Sequence, residues 1–197
     1  GLFAVGAALS RPGLAQTAEA TDVQYLDRVQ RYADALLEHG RDHYGTKASP
    51  LVAVTLDRST TQLPVDEKLH ALLHLERSSW GIRNHDRMLA GANPMHDLNL
   101  YQILYALSEI TENDRYAEEA DRTLRWFFDH CQSGATGLMA WGEHIGWDFY
   151  SEAASGEREV NNHEFFRPWV LWHRTFELAP KSAVEFALGL WNHQVYD

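Results

Sequence analysis

Residues 98–131, LNLYQILYALSEITENDRYAEEADRTLRWFFDHC, decide the fold. Leu98, Tyr101, Ile103, Leu104, Tyr105 and Leu107 recur at three- and four-residue spacing, the period of a helix that buries one face. Asn93-Pro94 followed by Asp97 is an N-terminal helix signature, so the first helix is expected from His96 to about Ile110. Thr111-Glu112-Asn113-Asp114 reads as a tight connection. Tyr116, Ala117, Ala120, Leu124, Phe127 and Phe128 then carry a second helix to about Cys131, with Gly134 and Gly137 beyond its end. Two amphipathic helices joined by so short a link form an αα-hairpin.

Outward from this hairpin the helical pattern repeats. Upstream, Thr21 or Asp22 can cap a helix whose apolar positions are Val23, Leu26, Val29, Ala33, Leu36 and Leu37, and Gly40 ends it. Residues 41–64 read as irregular, with one short strand at most around Leu51–Val54, and Val65–Leu75 reads as a short helix or an anchored loop. Trp80–Pro94 is a second loop, which holds Arg83, His85, Asp86 and Arg87. Downstream, Glu164–Leu178 is expected as a helix interrupted near Pro168. A break follows at Ala179-Pro180, and then a helix Lys181–His193 with Val184, Phe186, Ala187, Leu190 and Trp191 facing inward. Two hairpins joined by a long loop fit an all-α fold, an (α/α) toroid of helical hairpins, and periodicity alone fits a plain helical bundle equally. A closed ring needs more hairpins than this chain holds, so the toroid is expected to be incomplete here.

Composition narrows the function classes. The chain has 197 residues, 45% of them hydrophobic, 12% aromatic and 23% charged, which is ordinary for one folded domain. A formal charge of −11 argues against nucleic-acid binding and requires that an anionic ligand be met by locally placed arginines. The single cysteine, Cys131, falls in the last turn of a helix and reads as packing rather than as a nucleophile. Leu2–Leu9 is an apolar run too short to span a bilayer, and Gly13-Leu14-Ala15 offers the small residues of a signal-peptidase site before Gln16. Residues 1–15 are therefore expected to be the remainder of an export signal, and 16–197 part of one catalytic domain that is periplasmic or secreted.

The chemistry concentrates between the hairpins, in GLMAWGEHIGWDFYSEAASGEREVNNHEFFRPWVLW, residues 137–172. Four tryptophans (Trp141, Trp147, Trp169 and Trp172) and the pieces Trp141-Gly142-Glu143-His144 and Asn162-His163-Glu164 lie on this connection. A long connection is commonly functional or disordered, and this one is too aromatic to be disordered. His144 reads as a metal ligand or as a histidine packed among Trp141 and Trp147. Glu164 reads as a ligand or as a first-turn carboxylate favoured by the helix dipole. His163 is read as an outer residue, and His96 as a candidate cleft residue.

Three phrases together resemble the periplasmic pectate lyases of polysaccharide lyase family two. They are Ala106-Leu107-Ser108-Glu109-Ile110-Thr111 at the hairpin turn, Gly137-Leu138 leading to Trp141-Gly142-Glu143-His144, and His163-Glu164 ahead of Phe186–Tyr196 (FALGLWNHQVY). The similarity extends over roughly Tyr25–Asp197. It implies a helical-toroid lyase that cleaves galacturonan by metal-assisted β-elimination. It also implies a divalent metal, typically manganese, held by two histidines and a glutamate, with an arginine as base. On this chain the first histidine ligand falls on His144 and the glutamate on Glu164. The second histidine and the base are expected just past Asp197, which would leave the fragment inactive alone. Glu143 departs from the usual glycine beside the ligand. An imidazole with a carboxylate suits manganese or calcium better than a thiolate-preferring metal. Arg83, Arg87 and Arg167 read singly as surface salt-bridge residues and together as the candidate uronate readers, because a guanidinium pairs bidentately with a carboxylate, and Trp141 and Trp147 read as core or barrel lining or as sugar-stacking rings. Two other readings compete. One is a metal-free glycoside hydrolase or epimerase that uses Glu143, Asp148 or Glu152. The other is a non-catalytic carbohydrate-binding protein with a Trp-lined cleft.

Overall fold

The computed structural model describes residues 12–63, 91–132, 135–139, 146–154 and 168–194. Among them lie five helices and three very short strands: α1 (Pro12–His39), β1 (Gly91–Ala92), α2 (Leu98–Thr111), α3 (Arg115–Cys131), β2 (Trp147–Asp148), β3 (Ala153–Ala154), α4 (Trp172–Leu178) and α5 (Pro180–Gln194). The architecture is predominantly helical. It contains the two expected hairpins, α2–α3 and α4–α5, with α1 against α2 and α4 against α3.

The central hairpin forms as its spacing requires. Leu98, Tyr101, Leu104 and Leu107 of α2 are buried against Tyr116, Ala120, Leu124, Phe127 and Phe128 of α3 in one continuous core. The turn is made by Glu112 in the left-handed region (φ 53°), whose backbone N–H caps the Ser108 carbonyl. The second hairpin breaks at Ala179 and restarts with Pro180 as its first helical residue, where the missing N–H costs nothing. The two hairpins meet through an aromatic cluster. Trp169 lies edge-on to Phe128 at 5.4 Å and Phe186 lies edge-on to Phe128 at 6.0 Å, while Trp172 stacks on Phe186 at 5.3 Å. The buried Trp169 indole donates to Thr175 Oγ1 (2.9 Å), so its one polar atom is satisfied inside the core. Cys131 is buried at the end of α3, and burial pushes its thiol pKa well up, as a packing role requires.

Polar ties join the helices outside the core. Arg174 of α4 grips Asp121 of α3 through Nε (2.8 Å) and Nη2 (2.5 Å), and the Tyr105 hydroxyl of α2 donates to the same carboxylate (2.8 Å). Burial and that acceptor raise the Tyr105 pKa, so the phenol stays a donor. Arg41, just after α1, pairs with Glu119 of α3 and donates to Thr123 Oγ1 (3.0 Å) and to the Pro50 carbonyl.

Several expectations need correction. Helix α1 starts at Pro12, so Thr21 and Asp22 stand inside it rather than at its cap, and Val23 and Val29 are exposed. Residues 51–54 form no strand, only an isolated bridge between Arg41 and Val52. Of the helix expected over Glu164–Leu178 with an interruption near Pro168, residues 164–167 lie outside the described residues, 168–171 are non-helical as the interruption requires, and the helix proper is Trp172–Leu178. On α5 the buried residues are Ala183, Phe186 and Gly189, whereas Val184 (47%) and Trp191 (62%) are exposed. Periodicity located the helix but rotated its buried face. The expected segment Val65–Leu75 lies outside the described residues.

Candidate functional site

The central stretch, expected as a plain loop, contributes two strands to a small antiparallel sheet in the order β1-β2-β3. Gly91 pairs with Asp148 and Ala92 with Trp147, while Trp147 pairs with Ala154 and Asp148 with Ala153. The approach of β1 to β2 demands glycine, since a Cβ on Gly91 would sit 1.8 Å from the Trp147 carbonyl oxygen. The outer edge of β1 is held by Val54, whose N–H donates to the Gly91 carbonyl (3.0 Å). Sequence reasoning missed this sheet because two-residue strands leave no period to read.

The sheet governs which segments can meet. Trp147 and Ala154 are paired at the open end of the β2–β3 hairpin, which sets a residue three positions after His144 and one ten positions before Glu164 on neighbouring strands, about 5 Å apart. The segment carrying Arg83 and Arg87 enters at Gly91, one strand across and next to Asp148. His144, Glu164, Arg83, Arg87, Arg167 and Trp141 themselves lie outside the described residues, as do Glu143 and His163. Among the described residues no group of three histidine, cysteine or acidic side chains could hold a metal ion.

Trp147 is half-buried, and its ring meets that of Trp126 edge-on at 4.9 Å. Trp126 in turn stacks on His130, 4.2 Å away and nearly parallel. Only the packed helix shows that α3 supplies this second tryptophan. His96 closes the turn before α2, where its N–H is within 3.0 Å of the Asn93 carbonyl.

The two described acids proposed for hydrolysis are both committed to turns. Asp148 Oδ1 accepts from the N–H groups of Tyr150 (3.0 Å) and Ser151 (2.7 Å) and from Ser151 Oγ (3.0 Å). Glu152, left-handed at φ 53°, accepts from Thr46 Oγ1 (2.7 Å) and the Lys47 N–H (2.5 Å). Those hydrogen bonds hold its carboxyl below the usual range, which suits a structural clamp and is the wrong direction for a general acid. Below this clamp Tyr44 stacks parallel to the fully buried Phe149, with ring centres 6.2 Å apart, so the β2–β3 turn is anchored on the loop after α1.

The family described as periplasmic pectate lyase matches residues 71–197, nearly two thirds of the chain. The chain belongs to the periplasmic pectate lyase family. The match begins after α1 and takes in the sheet, both hairpins and all the segments that carry the candidate residues. Pectate is an acidic polysaccharide, in keeping with the need for local arginines on a chain of net charge −11. The family's description is periplasmic, and among the described residues no helix is long and apolar enough to cross a membrane.

Proposed function

We propose that this domain belongs to a lyase that cleaves galacturonan by β-elimination, with His144 and Glu164 as two ligands of a divalent metal. The observation that supports the pairing is the Trp147–Ala154 register, which pairs a residue three positions after His144 with one ten positions before Glu164. An imidazole and a carboxylate are a donor set that fits manganese or calcium. When bound there, such an ion supplies Lewis-acid stabilisation of charge developing on the uronate carboxylate. The chain's own part is recognition and placement. Arg83, Arg87 and Arg167 read uronate carboxylates, and Trp141 and Trp147 offer apolar faces to the sugar rings. The proton beside the carboxylate is taken by a base that we assign to no residue of residues 1–197. The wider frame is an (α/α) toroid, and residues 1–15 act as an export signal. Two of the three acids of the hydrolase reading are already engaged, Asp148 as the acceptor of its own turn and Glu152 as the acceptor from Thr46 and Lys47, and Glu143 lies outside the described residues.

The test follows unsaturated uronide formation from polygalacturonate by ultraviolet absorbance, using the domain in its full-length polypeptide. Product should vanish with chelator and return with manganese. His144→Ala should lose metal retention and activity together. Activity that survives while metal is lost removes the metal role, and absence of unsaturated product under every metal removes the lyase.

A further inference from the structure

Beside the sheet, the outer face of α3 and Pro50 enclose an open groove of about 420 Å³, a volume within the range of small-ligand sites. One wall is the stacked pair Trp126 and His130. Two arginines, Arg122 and Arg125, line the same space. They differ in state. Arg122 is bound to Glu119 at 2.7 Å, whereas Arg125 forms no ion pair with the described residues. Asp121, a turn away, is already neutralised by Arg174. Glu118 and Asp129 lie about three turns apart at opposite ends of this helix face, with Arg125 between them.

We propose that this groove is a second uronate subsite, in which Trp126 and His130 carry a sugar ring and Arg125 reads its carboxylate. The proposal rests on the galacturonan reading above and extends it to residues on α3. Three observations converge. Aromatic carbon of the stacked Trp126–His130 pair lines the groove, a surface that suits the apolar face of a sugar ring. A guanidinium with no ion pair among the described residues lies beside it and supplies local positive charge that a chain of net charge −11 needs in order to hold an anion. The Trp126 ring also meets that of Trp147 edge-on, so the groove wall is in contact with strand β2, three residues along the chain from His144. The flanking acids Glu118 and Asp129 weaken anion binding, so the interaction is weak and falls with added salt.

The experiment is calorimetric titration of the protein, in chelator to prevent turnover, with trigalacturonate and with neutral galactotriose. Wild type is compared with Arg125→Gln, a change at an exposed position that leaves the core intact. Removing one charge-assisted contact should weaken trigalacturonate binding about tenfold while leaving galactotriose unaffected. Equal trigalacturonate affinity in the two proteins overturns the proposal, as does an equal loss towards both sugars or an absence of binding by wild type. Arg125-dependent binding without unsaturated product from polygalacturonate keeps the subsite and removes the lyase reading. Product formation with Arg125-independent binding does the reverse.

Discussion

Glu152 shows how one side chain can serve a site without doing its chemistry. Its carboxylate ties the β2–β3 turn to the loop after α1 through Thr46 and Lys47, and its backbone occupies a conformation that most residues avoid. Because its folded pKa is depressed, its contribution to stability is complete above the ordinary carboxylate value of about 4.5 and is lost as pH falls through the depressed one. Glu152→Gln should therefore lower stability at neutral pH and flatten the acid limb of a plot of Tm against pH. A variant whose acid limb matches wild type would show that the clamp is not a titrating element. Asp148 plays the parallel role within its own turn, which is why an acidic residue next to a tryptophan in a carbohydrate-directed family is here a turn acceptor.

At the scale of elements, the three-stranded sheet ties together three stretches of chain that are far apart in sequence or separated by a turn. It is only two residues deep, so its integrity depends on single backbone contacts. Gly91→Ala places a Cβ against the Trp147 carbonyl at 1.8 Å and forces β1 away from β2. The expected outcome is a protein with wild-type helical circular dichroism, destabilised by about 1–3 kcal/mol. On the proposed function it should lose proportionately more polygalacturonate cleavage, since the sheet flanks the proposed ligand segments in sequence and carries little of the core. Activity retained in step with the folded fraction would mean that β1 does not position the site. The hairpins around the sheet are built for rigidity: Asp121 collects donors from α2 and α4 at once, and Gln132 at the end of α3 donates to the Gly137 and Ser182 carbonyls (2.7 and 2.9 Å).

For the whole molecule, the aromatic cluster of Phe127, Phe128, Trp169, Trp172 and Phe186 is where the two hairpins become one body. Phe186 is 1% exposed and touches rings from both sides of the junction. Phe186→Ala should cost about 3–5 kcal/mol in chemical denaturation, the cost of a large cavity in a well-packed core. Cys131, buried at the end of α3, supplies a built-in reporter. With its thiol raised by burial it should react with a disulfide reagent only through unfolding, and faster in Phe186→Ala than in wild type. A Phe186→Ala protein with unchanged stability and thiol reactivity would mean that the hairpins fold independently.

What could be read from sequence follows from the range of the forces involved. Helix existence is local: the spacing in Leu98–Leu107 and Tyr116–Phe128, the turn at 111–114 and the break at Ala179-Pro180 were all legible, and so was the packing role of Cys131. The family resemblance, carried by short phrases around Trp141–His144 and His163-Glu164, was legible for the same reason. Which face of a helix is buried depends on its neighbours, so Val184 and Trp191 were assigned inward and stand exposed. Strand pairing depends on hydrogen bonds between residues far apart in sequence. Gly91 beside Asp148 and Trp147 beside Ala154 therefore had no local signature, and neither did the meeting of Trp126 with Trp147. By itself the sequence determined the helices, the family and the types of side chain available for chemistry. Tertiary structure decided which helix faces are buried, which strands pair and that Trp126 meets Trp147, because these depend on contacts no local pattern encodes.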